Sequence, residues 1–175
     1  LRVKFDQIDP NYEELPVPGE SPEEKSIRLS RGKAMSVRAT LGNGSSFIII
    51  GSDQVAHLGS HTFSKPHTFE IAAEQLALCS GRWVSFTTAI CLIDENSRAF
   101  EALECFRIKY RELSTEDIHT YLEIDEPFDC AGSIKAEASG ITLLEDTSGR
   151  DINTLYGLPL MLLRESLRSN FNYGL

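Results

Sequence analysis

The run Phe47-Ile48-Ile49-Ile50 constrains this chain more than any other stretch. Three consecutive β-branched residues beside a phenylalanine disfavour a helix and leave no position for water, so the segment reads as a short strand covered on both faces. It is expected to be the central strand of a sheet and to stop at Gly51-Ser52-Asp53-Gln54. In open α/β sheets ligands gather in the crevice beyond the carboxyl ends of strands, so Asp53 and Gln54 fall where chemistry is expected.

Helices and further strands alternate around this run. Ser21-Pro22-Glu23-Glu24 combines a hydroxyl N-cap, proline at the first helical position and a glutamate that completes a capping box. It predicts a helix from about Pro22 to about Leu41, closed by Gly42-Asn43-Gly44, with Ile27, Ala34, Val37 and Leu41 inward and Arg28, Arg31 and Arg38 toward water. Thr68 caps a second helix carrying Ile71, Ala72, Gln75, Leu76 and Cys79 and closed by Gly81. Residues 83–93 and 98–110, separated by Asp94-Glu95-Asn96-Ser97, predict a long antiparallel hairpin. Ser114-Thr115-Glu116-Asp117 opens a third helix with Ile118, Tyr121 and Leu122 on its buried side. Val3 and Phe5 suggest a short edge strand, residues 140–146 another strand ending in a Thr147-Ser148-Gly149 turn, and Leu158 to about Arg168 a last helix.

The 175 residues suit a single domain spanning the chain, and 41% hydrophobic with 25% charged residues is an ordinary globular balance. With 17 Lys+Arg against 26 Asp+Glu the formal charge is −9, the wrong sign for coating a nucleic acid or an anionic membrane. A small anionic ligand remains compatible where positive groups converge. Cys79, Cys91, Cys105 and Cys130 form no C-x-x-C and no short Cys/His pairing, which reads as reduced thiols in a cytoplasmic protein. No apolar run approaches the roughly 20 residues of a membrane span, and no basic start precedes an apolar stretch.

Four features are candidates for chemistry. Asp53 is placed to bind a divalent cation or to activate water, the alternative being a turn aspartate bonded to nearby backbone. Lys33 and Lys65 flank the strand and are able to meet phosphate oxygens as point charges, or to be surface lysines. In Cys130-Ala131-Gly132-Ser133-Ile134-Lys135-Ala136-Glu137 an extended backbone would send Lys135 and Glu137 to one side; an ordinary ion pair in a loop is the alternative. Glu14, with Glu13 and Glu20, offers a hard-cation ligand or mere solubility. Asp53, His57 and His61 lie four apart, but Gly59 and the preceding strand argue against a helical metal face. Neither a P-loop nor a G-x-G-x-x-G fingerprint is present.

Taken in order, Phe47 to Val55, Lys65-Pro66 with Thr68, Gln75-Leu76, Ser80-Gly81, Cys130 to Glu137, and Gly149-Arg150-Asp151 through Asn153-Thr154-Leu155-Tyr156-Gly157-Leu158-Pro159-Leu160 resemble the Maf family of nucleoside triphosphate pyrophosphatases. Gly-Ser-Asp-Gln and Cys-Ala-Gly-Ser-x-Lys-x-Glu are similar to the branch acting on 7-methyl-GTP; the branch acting on dTTP and UTP carries Ala-Asp-Thr and a Gln at the position of Glu137.

The resemblance implies an α/β fold with an elongated mixed β-sheet flanked by helices, two lobes and a cleft, related to inosine triphosphate pyrophosphatases. It implies hydrolysis between the α and β phosphates with a divalent cation, Mg or Mn, and a small nucleotide as substrate. By the same resemblance Asp53 is the proton acceptor and a metal ligand with Glu14, Lys33 and Lys65 bind phosphate, and Gln54, Lys135 and Glu137 face the substrate, Gln54 and Glu137 setting base preference. A carboxylate at Glu137 suits the cationic 7-methylguanine ring. Neither nucleic acid nor membrane is an expected partner, and a homodimer is the general prior for oligomers. The family normally begins with a strand and a Ser-x-Ser-x-x-Arg loop that nothing before Val3-Lys4-Phe5 matches, so the expectation is a domain lacking its first strand. Alternatives are a UTP, CTP or dTTP pyrophosphatase, or a catalytically impaired nucleotide-binding module regulating cell division.

Overall fold

Ser21 Oγ accepts the Glu24 amide at 3.2 Å while the Glu24 carboxylate takes the Ser21 amide at 2.9 Å, and this reciprocal cap starts helix α1, Pro22–Thr40. The computed structural model describes residues 3–42 and 46–174 of the chain. The Leu41 amide closes α1 on the Arg38 carbonyl; Asn43 and Gly44, expected to end the helix, lie outside the described residues. Arg28 and Arg31 do not simply face water: Arg28 pairs with Glu20 at 2.6 Å and Arg31 reaches across to Glu101 at 2.5 Å.

Two strands follow, β1 (Ile48–Leu58) and β2 (His61–Phe63), then α2 (Phe69–Cys79) capped by Thr68. The hairpin expected from composition is β3 (Trp83–Asp94) with β4 (Ala99–Tyr110). Helix α3 (Thr115–Asp125) starts at a Ser114–Asp117 capping box and buries Ile118, Tyr121 and Leu122 as expected. Short 3₁₀ turns at Ala131–Ser133 and Ser139–Leu143 lead into β5 (Leu144–Ser148), and a third at Ile152–Thr154 precedes α4 (Leu160–Phe171). Thus Thr147 and Ser148 belong to a strand rather than a turn, and residues 140–143 are 3₁₀ helix.

The class is mixed α/β, as the sequence led us to expect. Its described strands form one sheet in the order β2-β1-β3-β4-β5, antiparallel at every pair, so the expected mixture of strand directions is not found among them. Residues 3–10 form no strand, and Phe5 is 77% exposed. The central strand is β3, not the isoleucine run, and Ile50 is 42% exposed rather than covered on both faces. Nor does β1 stop at Gly51: Gly51, Ser52, Asp53 and Gln54 pair in register with Cys91, Ile90, Ala89 and Thr88.

Alternation along the strands sorts the core by face. On one face Ile49, Cys91 and Ile93 pack against Ala34 of α1. On the other, Ile90, Leu92 and Ile48 pack against Leu163 and Leu167 of α4. Farther along that second face, Ala56, Phe86 and Ile108 join α2 and α3 in the largest cluster. The two ends of the sheet are therefore clothed by different helices, and the polar positions of β1 lie between them.

Candidate active site

Asp53 lies in mid-strand with its side chain on the α1 face, and Gln54 takes the opposite face. Lys33 of α1 donates to Asp53 Oδ1 at 2.6 Å, and the same ammonium lies 2.7 Å from Glu14 Oε1. The segment bearing Glu14 is fastened to α1 at two points. The Tyr12 ring occupies the space that a Cβ on Gly32 would need, and the Ser36 hydroxyl donates to the Pro10 carbonyl. Three residues remote in sequence thereby meet at one cation.

Burial dominates the electrostatics. Asp53 is 9% exposed, and that desolvation holds its carboxyl above the ordinary aspartate range against the pull of the Lys33 hydrogen bond. Burial likewise works against the Lys33 charge, but its bonds to Asp53 and Glu14 outweigh it and leave the amine above its usual value. Lys25, two helical turns before Lys33, also lowers the Asp53 carboxyl. Sequence reasoning missed Lys25, although a spacing of eight on a capped helix was a usable signal.

Two carboxylate oxygens converging on one positive centre are hard donors of the kind Mg²⁺ or Mn²⁺ takes, with substrate phosphates and water completing the shell. Among the described residues no group of three or more His, Cys, Asp or Glu side chains surrounds a metal-sized point.

Gln54 is held differently. Its Nε2 donates to Thr88 Oγ1 at 3.0 Å, to the Thr154 carbonyl at 2.6 Å and to the Leu155 carbonyl at 3.2 Å. Thr88 donates to the same Thr154 carbonyl at 2.8 Å, and Thr154 Oγ1 donates to Glu104 at 3.1 Å. Ser52, on that face as well, donates to the Gly157 carbonyl at 2.7 Å.

The remaining predicted residues sit apart from the Glu14–Lys33–Asp53 group; among the described residues no hydrogen bond or ion pair joins them to it. Lys135 Nζ donates to the Asp125 and Glu126 carbonyls at 2.7 and 3.3 Å, capping the C-terminal end of α3. Residues 136–138 form a turn in which the Ala138 amide donates to the Lys135 carbonyl at 3.1 Å, so the extended run expected to send Lys135 and Glu137 to one side is not formed. Glu137 and Lys65 are exposed. Lys135 and Lys65 both act on the carboxyl of Asp129, which is held below its usual range first by its bond with the Cys130 thiol.

An antiparallel sheet carrying a lysine-bridged carboxylate pair on one face and a polar row on the other defines an α/β protein with a candidate hydrolytic site. The model of the Maf-like protein family matches residues 1–170, and the chain belongs to the Maf family. The 7-methyl-GTP pyrophosphatase of Pseudomonas putida is 43% identical over 169 residues, which cover 95% of this chain and 86% of that protein. Proteins of the same name from Pseudomonas aeruginosa and Nitrosococcus oceani are 41% and 40% identical, each over 95% of this chain and over 86% and 83% of their own lengths.

Proposed function

We propose that this protein is a nucleoside triphosphate pyrophosphatase that hydrolyses 7-methyl-GTP between its α and β phosphates, releasing 7-methyl-GMP and pyrophosphate in the cytoplasm. The observation that carries the reading is the meeting of Glu14, Lys33 and Asp53 at one point in a chain whose relatives bear that enzyme name. Asp53 accepts the proton of the attacking water; a carboxyl lifted by burial is a stronger base than an exposed one. The water oxygen bonds to phosphorus as the bond to the pyrophosphate oxygen breaks. Lys33 and Lys65 meet phosphate oxygens as point charges. The Maf resemblance assigns Gln54, Lys135 and Glu137 to the nucleoside: the exposed Glu137 opposes the positive charge of 7-methylguanine, and Lys135 meets the substrate on releasing the α3 carbonyls it caps. A divalent cation at Glu14 and Asp53 would supply charge stabilisation to the phosphates.

Pyrophosphate release from 7-methyl-GTP, GTP, UTP, CTP and dTTP, each with Mg²⁺ or Mn²⁺, tests this. The expected result is fastest turnover of 7-methyl-GTP and a fall of at least about a hundredfold in Asp53→Asn. Equal turnover by that variant removes Asp53 from the chemistry, and a preference for UTP or dTTP reassigns the substrate.

A further inference from the structure

Gln54, Thr88 and Glu104 stand side by side across β1, β3 and β4, direct partners in the strand register. The 3₁₀ turn containing Thr154 closes over this row. Its proton bookkeeping has one solution. The Thr154 and Leu155 carbonyls only accept, so the Gln54 group at 2.6 and 3.2 Å from them must be the NH₂. Thr88 has one hydroxyl proton and gives it to the Thr154 carbonyl, so it accepts from Gln54. The amide therefore has a fixed sense. Among the described residues nothing donates to Gln54 Oε1, and that atom is not one of the buried polar atoms left without a partner, so it retains solvent access.

We propose that Thr88, together with the Thr154 and Leu155 carbonyls, is a positioning element that turns the Gln54 amide so that only its oxygen meets the nucleobase, selecting bases that donate at that edge. This rests on the reading of Gln54 as a base-facing residue. Guanine offers adjacent N1–H and N2–H donors on its Watson–Crick edge, whereas adenine sets a single N6–H donor beside an N1 acceptor that a fixed oxygen repels. A positive charge on the 7-methylated ring makes N1–H a stronger donor, so a fixed acceptor favours it further. A freely turning glutamine would serve either edge and discriminate neither.

The test uses Thr88→Val, which keeps the side-chain shape and removes the hydroxyl, and Thr88→Ser, which restores it. Side-chain NH₂ exchange of Gln54 by NMR reads the anchoring, and kcat/KM for 7-methyl-GTP over ATP reads its consequence. Slow exchange is expected in the wild type and in Thr88→Ser, with faster exchange in Thr88→Val. The 7-methyl-GTP preference should fall about tenfold in Thr88→Val and return in Thr88→Ser, the scale of one redirected hydrogen bond. Wild-type exchange as fast as that of surface glutamines overturns the proposal, as does an unchanged preference in Thr88→Val. If the wild type hydrolyses neither nucleotide, the pyrophosphatase reading fails and the exchange measurement alone decides whether Thr88 positions Gln54.

Discussion

The backbone of Gly51 packs directly under the carbonyl oxygen of Ser30, so that a Cβ on Gly51 would overlap that oxygen and stand 2.9 Å from the Ala34 Cβ. This contact seats α1 close enough to β1 for Lys33 to reach Asp53. Backbone cannot step aside as a flexible side chain does, so Gly51→Ala must push the helix outward. Urea unfolding should show a loss of about 1–3 kcal/mol, the usual scale of overpacking. An unchanged midpoint would contradict the seating argument.

Lys33→Met leaves the Asp53 carboxylate buried without its cation. The Lys33 side chain is 23% exposed, so the loss at neutral pH should be about 1–3 kcal/mol rather than the ~3–5 of breaking a fully buried pair. The sign with pH follows from burial. An Asp53 carboxyl raised in the folded state favours its protonated form, so the cost is full above the folded value, shrinks as pH falls through it and is gone below the unfolded one. Denaturation at pH 8 and at pH 4 should show the gap to wild type narrowing in acid.

Asp117 behaves in the opposite sense. Its bond to Arg111, reinforced by Ser114, holds the carboxyl well below the usual carboxylate range. Its contribution is present above the unfolded value of about 4 and is lost as pH falls through the folded value. Thermal melts should place Asp117→Asn below wild type at pH 7, with the two curves approaching each other as pH drops below about 4. Parallel curves across that range would show that the pair does not stabilise the fold.

The thiols differ sharply in accessibility. Burial pushes Cys79 up to about 12, and Cys91 and Cys130 up to about 11, while Cys105 is exposed on β4. A disulfide reagent at pH 8 should therefore label one cysteine rapidly in the native protein, and Cys105→Ser should remove that phase. Rapid labelling of Cys91, which lies on β3, would show that the sheet opens locally.

The elements legible in the sequence are those specified by neighbours in the chain. The Ser21–Glu24 and Ser114–Asp117 boxes act over three residues, and the hairpin is announced by its own turn, Asp94 to Ser97. Gly51-Ser52-Asp53-Gln54 reads as a turn because Gly, Ser and Asp favour one, yet each of the four meets a remote partner that keeps it in strand: Ser30 for Gly51, Gly157 for Ser52, Lys33 for Asp53 and Thr154 for Gln54. The pairing of Lys33 with Asp53 and Glu14 could be anticipated only from the Maf resemblance, since spacing carries no sign of it. Thr88 gave no signal at all, because its role exists only once three strands and a 3₁₀ turn are assembled.

Asp151 receives the Asn153 amide on Oδ1 at 3.0 Å and the Met161 amide on Oδ2 at 2.8 Å, serving at once as cap of the last 3₁₀ turn and anchor for the start of α4. One carboxylate thus ties both ends of a loop whose carbonyls hold Ser52 and Gln54. Such a loop has a gauge: adding or deleting a residue between Asp151 and Met161 would break one tie and shift the carbonyls out of step with the sheet. Length, as much as sequence, is what this segment transmits from the C-terminal helix to the strand beneath it.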